Sequence, residues 1–367
     1  MIVKLGDIAR ECKCTTENKD CPIVGLEHLE PKELLLKNYS SDPNTTFTKS
    51  FKAGQILFGR RRSYQQKASV ATFDGICSGD IIVIETIPEK VEPRLLPFII
   101  QSEAFFNYSI IGSAGGLSPR VKWQHLANYE FELPSLEEQR VLADKLWAAY
   151  EVKESYKNLL AQTDKLLHAQ FEKMFGEDDK NGTIASLVCN NIASVKKTYK
   201  SDDIISYIDI SSIDAESNEV VSTTDYMVCN APSRAQQCVQ KGDILVSTTR
   251  PINRNIAVVQ SEAKNLVAST GFCVLRPKDE HRAYLLSIVK SEDYTKAMCD
   301  KSTGGVYPAV NNSDVLSYEI VIPSSKVLHE VTTLVEQAER TKASLNKGIE
   351  AIEAVIRSLI AEGTTRV

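Results

Sequence analysis

A chain of 367 residues, 43% apolar and 25% charged, is long enough for two or three domains and too apolar for wholesale disorder. Its 43 basic and 48 acidic residues give a net charge of −5, which excludes a uniformly basic nucleic-acid binder but leaves room for a basic patch. No apolar run approaches the about 18 residues of a membrane span. MIVKLGDIAR has no signal-peptide core, and nine irregularly spaced cysteines point to a reducing cytoplasm rather than a disulfide scaffold.

Taken in chain order, residues 1–134 carry short β signals: IVGLEHL (23–29), GQILFG, SVATF and DIIVIET mix β-branched and aromatic residues between Gly, Asp and Pro. An apolar pattern of helical period, LLPFIIQSEAFFNYSI, follows. Then come a Gly-Gly loop, GSAGGLSP, a strand ending in Pro, YEFELP, and a long helical pattern over 135–175. The same order then recurs. AGQIL (53–57) matches KGDIL (241–245) at an offset of 188. GSAGGLSP (112–119) matches KSTGGVYP (301–308), and YEFELP (129–134) matches YEIVIP (318–323), both at 189. IVGLEHL can be laid on YIDISSI (207–213). In the second half DILVSTT, IAVVQS and FCVLRP are the further β signals, and AYLLSIVKSEDYTKAM is the helical one.

A period this long is that of a duplicated domain-plus-helix unit, not of a solenoid. The expected organisation is globular 1–134, helix 135–175, globular 176–322 and helix 323–367. The fold class is α+β, and the globular parts hold 16 basic against 16 acidic residues and 15 against 19.

About 40 residues at about 1.5 Å each make a helix of roughly 60 Å, more than one small domain needs. Leu142, Leu146, Leu160, Leu166, Leu167, Phe171 and Phe175 mark the apolar side of the first. Leu328, Val331, Val335, Ala338, Leu345, Ile349, Ile352, Ile356 and Leu359 mark that of the second, which only Gly348 interrupts. Two such seams are expected to pair as an antiparallel coiled coil, with the halves related by a pseudo-twofold axis. The competing reading packs each helix on its own globular part. Trp147 and Tyr156 add apolar surface beyond what one partner helix would cover, so a further subunit is expected to pack there.

Catalytic motifs are missing. GQILFGRR (54–61) has Arg where a phosphate-binding loop needs Lys and Ser or Thr, no GxGxxG or HExxH occurs, and the five histidines are scattered. Cys12, Cys14 and Cys21 near His28 lack a matching second ligand pair, so no metal is expected. Glu137 and Glu138 open a helix, where acidic residues complement the dipole. No catalytic residue is assigned.

Recognition chemistry is present. Arg60, Arg61 and Arg62 precede Ser63, Tyr64, Gln65, Gln66 and Lys67; Arg suits guanine, Gln suits adenine, and Tyr or Ser suits phosphate. At the equivalent place stand Thr248, Thr249, Arg250, Asn253, Arg254 and Asn255. A solvated basic loop is the rival reading of either alone; recurrence at equivalent places favours nucleic acid. The Gly-Gly loops add Ser113, Gly115, Gly116, Ser118, Arg120 and Lys122, and Ser302, Thr303, Gly304, Gly305 and Tyr307, where small residues let backbone N–H groups approach a phosphate. A plain tight turn is the rival there.

The order of features, the AGQIL- and KGDIL-type strand openings and the helix start LPSLEEQRVLADKL resemble the specificity (S) subunit of type I restriction–modification enzymes over essentially the whole chain. The second helix departs from it, beginning IPSSKVLHEV (322–331). The resemblance implies two target-recognition domains, each reading one half of a split sequence in double-stranded DNA, and an antiparallel helix pair as spacer. It implies docking of two methyltransferase (M) subunits and, in the restriction complex, two motor-nuclease (R) subunits. S-adenosylmethionine, ATP and magnesium would belong to those partners. The alternatives are a protein-interaction scaffold with duplicated domains, or the recognition subunit of another methyltransferase-based defence system.

Overall fold

The structure, a computed structural model, describes residues 1–114, 118–174, 180–189, 191–214, 218–305 and 307–364. Gly115, Gly116 and Phe175 lie outside the described residues. The chain divides into two compact units: residues 1–158 with 345–367, and residues 159–344. The division falls within both long helices.

In the first unit a four-stranded antiparallel sheet runs in the order Ala9–Cys12, Ile81–Thr86, Ile56–Gly59, Ala68–Val70. A three-stranded sheet sets Gly75–Cys77 between Ile23–Val24, parallel to it, and Lys49–Phe51, antiparallel. Ile2–Lys4 pairs with Glu130–Glu132 and brings the chain to the long helix. The LLPFIIQSEAFFNYSI pattern forms two helices, Leu96–Ile100 and Glu103–Ile111, because Ser102 stops one and caps the next by accepting from the Phe105 N–H at 3.2 Å. Phe58, Phe105, Phe106 and Phe131 are wholly buried in one cluster.

The second unit repeats this. Ile244–Ser247 lies between Ile256–Val258 and Phe272–Leu275, with Ile244 opposite Val258 and Leu275 as Ile56 is opposite Val70 and Ile84. Ile213–Asp214 and Glu219–Val220 extend this sheet to five strands. The smaller sheet repeats its partners: Tyr207 sits parallel opposite Val267 as Ile23 sits opposite Ile76. IVGLEHL and YIDISSI thus begin at equivalent places in the two units. Thr224–Met227 adds an edge strand to the second small sheet. Asp279–Lys290 and Glu292–Lys301 repeat the broken helix, with Ser291 accepting from the Tyr294 N–H at 3.1 Å.

The repeated AGQIL and KGDIL motifs are tight turns into the central strand. Gly54 and Gly242 adopt φ of 87° and 90°, where any other residue would be strained. Gln55 accepts from the Lys52 N–H at 2.8 Å, and Asp243 accepts from the Gln240 N–H at 2.9 Å. Asp243 also receives Arg276 through two bonds of 2.8 and 2.7 Å.

The long helices are Leu136–Met174 and Ser325–Gly363, 39 residues each. The first is opened by a reciprocal cap: Ser135 donates to Glu138 from N and Oγ at 2.9 and 2.7 Å. In the first unit the start of one helix lies against the end of the other. Leu142 adjoins Gly363, Lys153 pairs with Glu353 at 3.4 Å, and Tyr156 adjoins Gly348. One number rises as the other falls, so the pairing is antiparallel. In the second unit Asp164 pairs with Lys342, and Leu167, Phe171 and Met174 pack on the cluster holding Leu328, Val331 and Val335.

Two expectations are corrected. Gly348 does not interrupt the second helix; a Cβ there would meet the Tyr156 ring at 2.4 Å, so the glycine makes room for the aromatic. Trp147 and Tyr156 are not surplus surface. Trp147 packs edge-on against Phe98 at 5.5 Å and donates its Nε1–H to Arg94 O at 3.0 Å. The exposed apolar residues are others, including Val152, Leu159 and Leu166, which recur every seven residues along the first helix.

Candidate nucleic-acid interface

The hairpin joining Ile56–Gly59 to Ala68–Val70 carries Arg60–Lys67. Within it Ser63–Gln65 makes one 3₁₀ turn, bracketed by Arg62 and Gln66 in the left-handed region at φ of 55° and 52°. The Gly-Gly loop lies alongside. Arg61 is bridged to Arg120, the Arg62 N–H donates to Pro119 O at 2.9 Å, and the Val121 N–H donates to Arg60 O at 2.9 Å. Ser63 Oγ and Ser113 Oγ approach to 3.4 Å.

The second loop has the same frame. Pro251–Asn253 is a 3₁₀ turn between left-handed Arg250 and Arg254, at φ of 48° and 50°. Thr249 is bridged to Ala309, the Arg250 N–H donates to Pro308 O at 2.7 Å, and the Val310 N–H donates to Thr248 O at 2.9 Å. Thr303 and Ala309 bridge as Ala114 and Arg120 do. Each hairpin is thus bound to described residues of the later loop in its own unit, which joins segments that are far apart in sequence.

Side chains differ. Asp80 stands between two arginines of the first loop pair. Arg120 binds it through Nε at 2.8 Å and Nη2 at 3.3 Å, and Arg61 approaches to 3.6 Å. The Arg120 hydrogen bond, with the charges of Arg120, Arg61 and Arg60, holds the Asp80 carboxyl below the ordinary carboxylate range despite some burial. Arg61 also donates to Ser118 Oγ. In the second unit the Arg250 guanidinium lies 4.6 Å from the Tyr307 ring centre, and Arg254 approaches Glu292 at 3.7 Å. The position of Asp80, whose carbonyl accepts from the Arg60 N–H, is taken by Gly271, whose carbonyl accepts from the Thr248 N–H.

Arg62, Tyr64, Arg120, Lys122, Arg250, Asn253, Arg254, Thr303 and Tyr307 are exposed, and Arg61, Gln65, Ser113 and Thr249 are half-buried. Arg62 and Lys122 have no ion pair among the described residues. Two candidates turn toward the fold. Lys67 donates Nζ to Leu26 O at 2.7 Å, and Arg60 buries an Nε that bonds to nothing. Ser113 spends its hydroxyl on Ser109 O at 2.9 Å. Sequence reasoning missed Asp80, because only strand pairing brings it beside Arg61 and Arg120. Among the described residues no cluster of three or more His, Cys, Asp or Glu could hold a metal, and no helix is long and apolar enough to cross a membrane.

Comparison with known proteins agrees with the duplication. The chain is 24% identical over 179 residues to the type I restriction enzyme EcoDI specificity subunit of Escherichia coli, covering 47% of this chain and 40% of that one. It is 30% identical over 141 residues to the HindI specificity subunit of Haemophilus influenzae, covering 36% and 30%. The matches therefore span less than half the length of these curated relatives. In fold it is similar to a chain from a structure of a type I R-M system described for complex assembly and conformational transition, with TM-score 0.55, 16% identity and 99% and 97% coverage. It is equally similar to the type I S subunit from M. genitalium, with TM-score 0.55, 12% identity and 98% and 94% coverage. The family model for the type I restriction modification DNA specificity domain matches twice, over residues 1–162 and 188–354, and the chain belongs to that family.

Proposed function

We propose that this chain is the non-catalytic DNA-reading subunit of a type I restriction–modification complex, each unit reading one half of a bipartite target. The observation that carries the reading is the recurrence, in both units, of an arginine-bearing hairpin clamped to a Gly-Gly loop on an exposed edge. Arginine forks on such a rigid frame suit guanine edges and phosphates. Arg61, Arg62, Tyr64, Gln65, Arg120 and Lys122 serve the first half-site, and Thr249, Arg250, Asn253, Arg254, Thr303 and Tyr307 the second. Arg60, Lys67 and Ser113 support the first loop from behind.

Catalysis belongs to partners. A base is methylated only after it leaves the stack for an enzyme pocket, which calls for methyltransferase subunits with S-adenosylmethionine. Two of these are proposed, with two motor-nuclease subunits using ATP and magnesium in the restriction complex. The stripe of Val152, Leu159 and Leu166 offers them an apolar contact. A net charge of −5 gives this chain little long-range pull on a polyanion, so partners must supply further cations.

The test titrates labelled DNA carrying the recognised sequence with the chain alone and with its methyltransferase partner, at one salt concentration. Binding should tighten greatly with the partner and depend on sequence. Equal affinity in both titrations would refute the need for partners, and a sequence-independent result would leave only a protein scaffold.

A further inference from the structure

Each recognition loop presents an apolar side chain at its tip. Tyr64 is the middle residue of the Ser63–Gln65 turn and is 56% exposed; Ile252 is the middle residue of Pro251–Asn253 and is 67% exposed. The two are 188 residues apart, the offset of the loops themselves. Neither makes a side-chain hydrogen bond or ring contact among the described residues. Left-handed residues bracket each turn, and main-chain bonds tie it to the Gly-Gly loop, so the tip is held outward.

An aromatic ring and a branched aliphatic chain held largely in water beside cations gain little from the folded chain itself. They match a surface that offers apolar faces between anions, which is the make-up of stacked bases between phosphates. We infer that Tyr64 and Ile252 are wedges, each inserting between adjacent base pairs of its half-site and partly unstacking one step. The inference rests on the DNA-reading proposal and deepens it. Arg62 and Gln66 flank one wedge and Arg250 and Arg254 the other, close enough to engage the phosphates that an opened step spreads apart. A wedge also reads sequence without touching base edges, because pyrimidine–purine steps open more easily than others.

The experiment uses the full chain with its methyltransferase partner on a duplex whose recognised sequence is taken from the methylation pattern of host DNA. Fluorescent analogues replace one base at a time, 2-aminopurine for adenine and pyrrolo-deoxycytidine for cytosine. One step in each half-site, apart from the base that the methyltransferase takes out of the stack, should brighten severalfold on binding. Tyr64→Ala should abolish the signal in one half-site and Ile252→Ala in the other. Each should weaken binding about tenfold, within the range of base stacking. Tyr64→Phe should keep both signal and affinity, and thermal midpoints should not move, since both side chains are exposed. Sequence-specific binding by the wild-type complex with no brightening outside the flipped base overturns the wedge and leaves DNA reading standing. Loss of affinity in the alanine variants without any wild-type signal does the same, since it makes these residues groove contacts. A wild-type complex that binds without sequence preference overturns both.

Discussion

The loop at 60–67 and the loop at 248–255 share a main-chain frame and little side-chain chemistry. Both turn through a 3₁₀ segment between two left-handed residues, and both hang on a proline carbonyl of the neighbouring loop. In the first, Asp80 gathers two arginines into an ion-paired cluster. In the second, no acid stands at that position, and Arg250 rests on an aromatic face. The difference separates two jobs: hydrogen bonds between peptide groups fix where a loop sits, and side chains decide what it can recognise. Two different contents in one frame are what two different half-sites require.

The largest expected effect tests the frames against each other beneath the loops. Asp243 is 1% exposed and holds both a turn N–H and the Arg276 fork, whereas Gln55 holds only the N–H. Asp243→Ala strands Arg276 and should cost about 3 kcal/mol in chemical denaturation. Gln55→Ala should cost about 1 kcal/mol. Equal losses would mean that the two turns are held by the same forces after all.

Next come the arginines themselves. Arg250→Ala should cost about 2 kcal/mol and relax specificity at one position of its half-site. Arg62→Ala should weaken all sequences alike and lower the salt slope by about 1, as for a phosphate contact. Binding isotherms against single-base variants at several salt concentrations distinguish them. If alanine at Arg60, Arg61 and Arg62 together left affinity and specificity unchanged, the first loop would not be a reader.

A smaller effect is expected from Asp80. Asp80→Asn frees Arg61 and Arg120, so discrimination between cognate and single-mismatch DNA should fall by about 1 kcal/mol while salt dependence steepens. The sign with pH follows from a carboxyl whose folded value is lowered, chiefly by the Arg120 hydrogen bond. The cluster's contribution is present above the ordinary carboxylate range and is lost as pH falls through the lowered value. Wild type and Asp80→Asn should therefore differ near neutral pH, with no titration there, and converge in acid. A persistent gap in acid would show that Asp80 acts by shape, not charge.

The smallest effect is that of Tyr307→Leu. It removes the ring beneath Arg250 and should cost about 0.5 kcal/mol of DNA affinity, the scale of an exposed cation–π contact. A loss as large as that of Arg250→Ala would make the ring itself a DNA contact.

The duplication was legible because it is written in local signals. Gly54 and Gly242 turn, Pro134 and Pro323 precede the long helices, and 39-residue runs keep an apolar side. Pairings between distant segments left no such trace. The parallel match of Tyr207 with Val267 and the meeting of Asp80 with Arg120 depend on how strands align, and no window of sequence contains both partners. The break at Ser102 was hidden for another reason. Apolar periodicity runs through it, and only the serine's hydrogen bond separates one helix from the next. Gly348 misled because a glycine signals weakness in a helix until the ring that fills its space is known.

The left-handed residues that bracket the two loops carry a consequence for how such a chain changes over generations. Arg62, Gln66, Arg250 and Arg254 sit where most residues lose about 1–2 kcal/mol. Glycine and asparagine are welcome at these four places and long unbranched chains are tolerated, whereas valine, isoleucine, threonine and proline meet a steric bar. Mutation is thereby filtered unevenly. Inside the brackets the exposed Tyr64, Ile252 and Asn253 can be exchanged without disturbing the backbone that displays them, whereas Ser63 is buried against the neighbouring loop. In a chain that reads DNA, drift toward a new target is thereby channelled away from the four bracket positions and toward exposed neighbours such as Tyr64, Ile252 and Asn253, and the scaffold inherits each change there without having to refold around it.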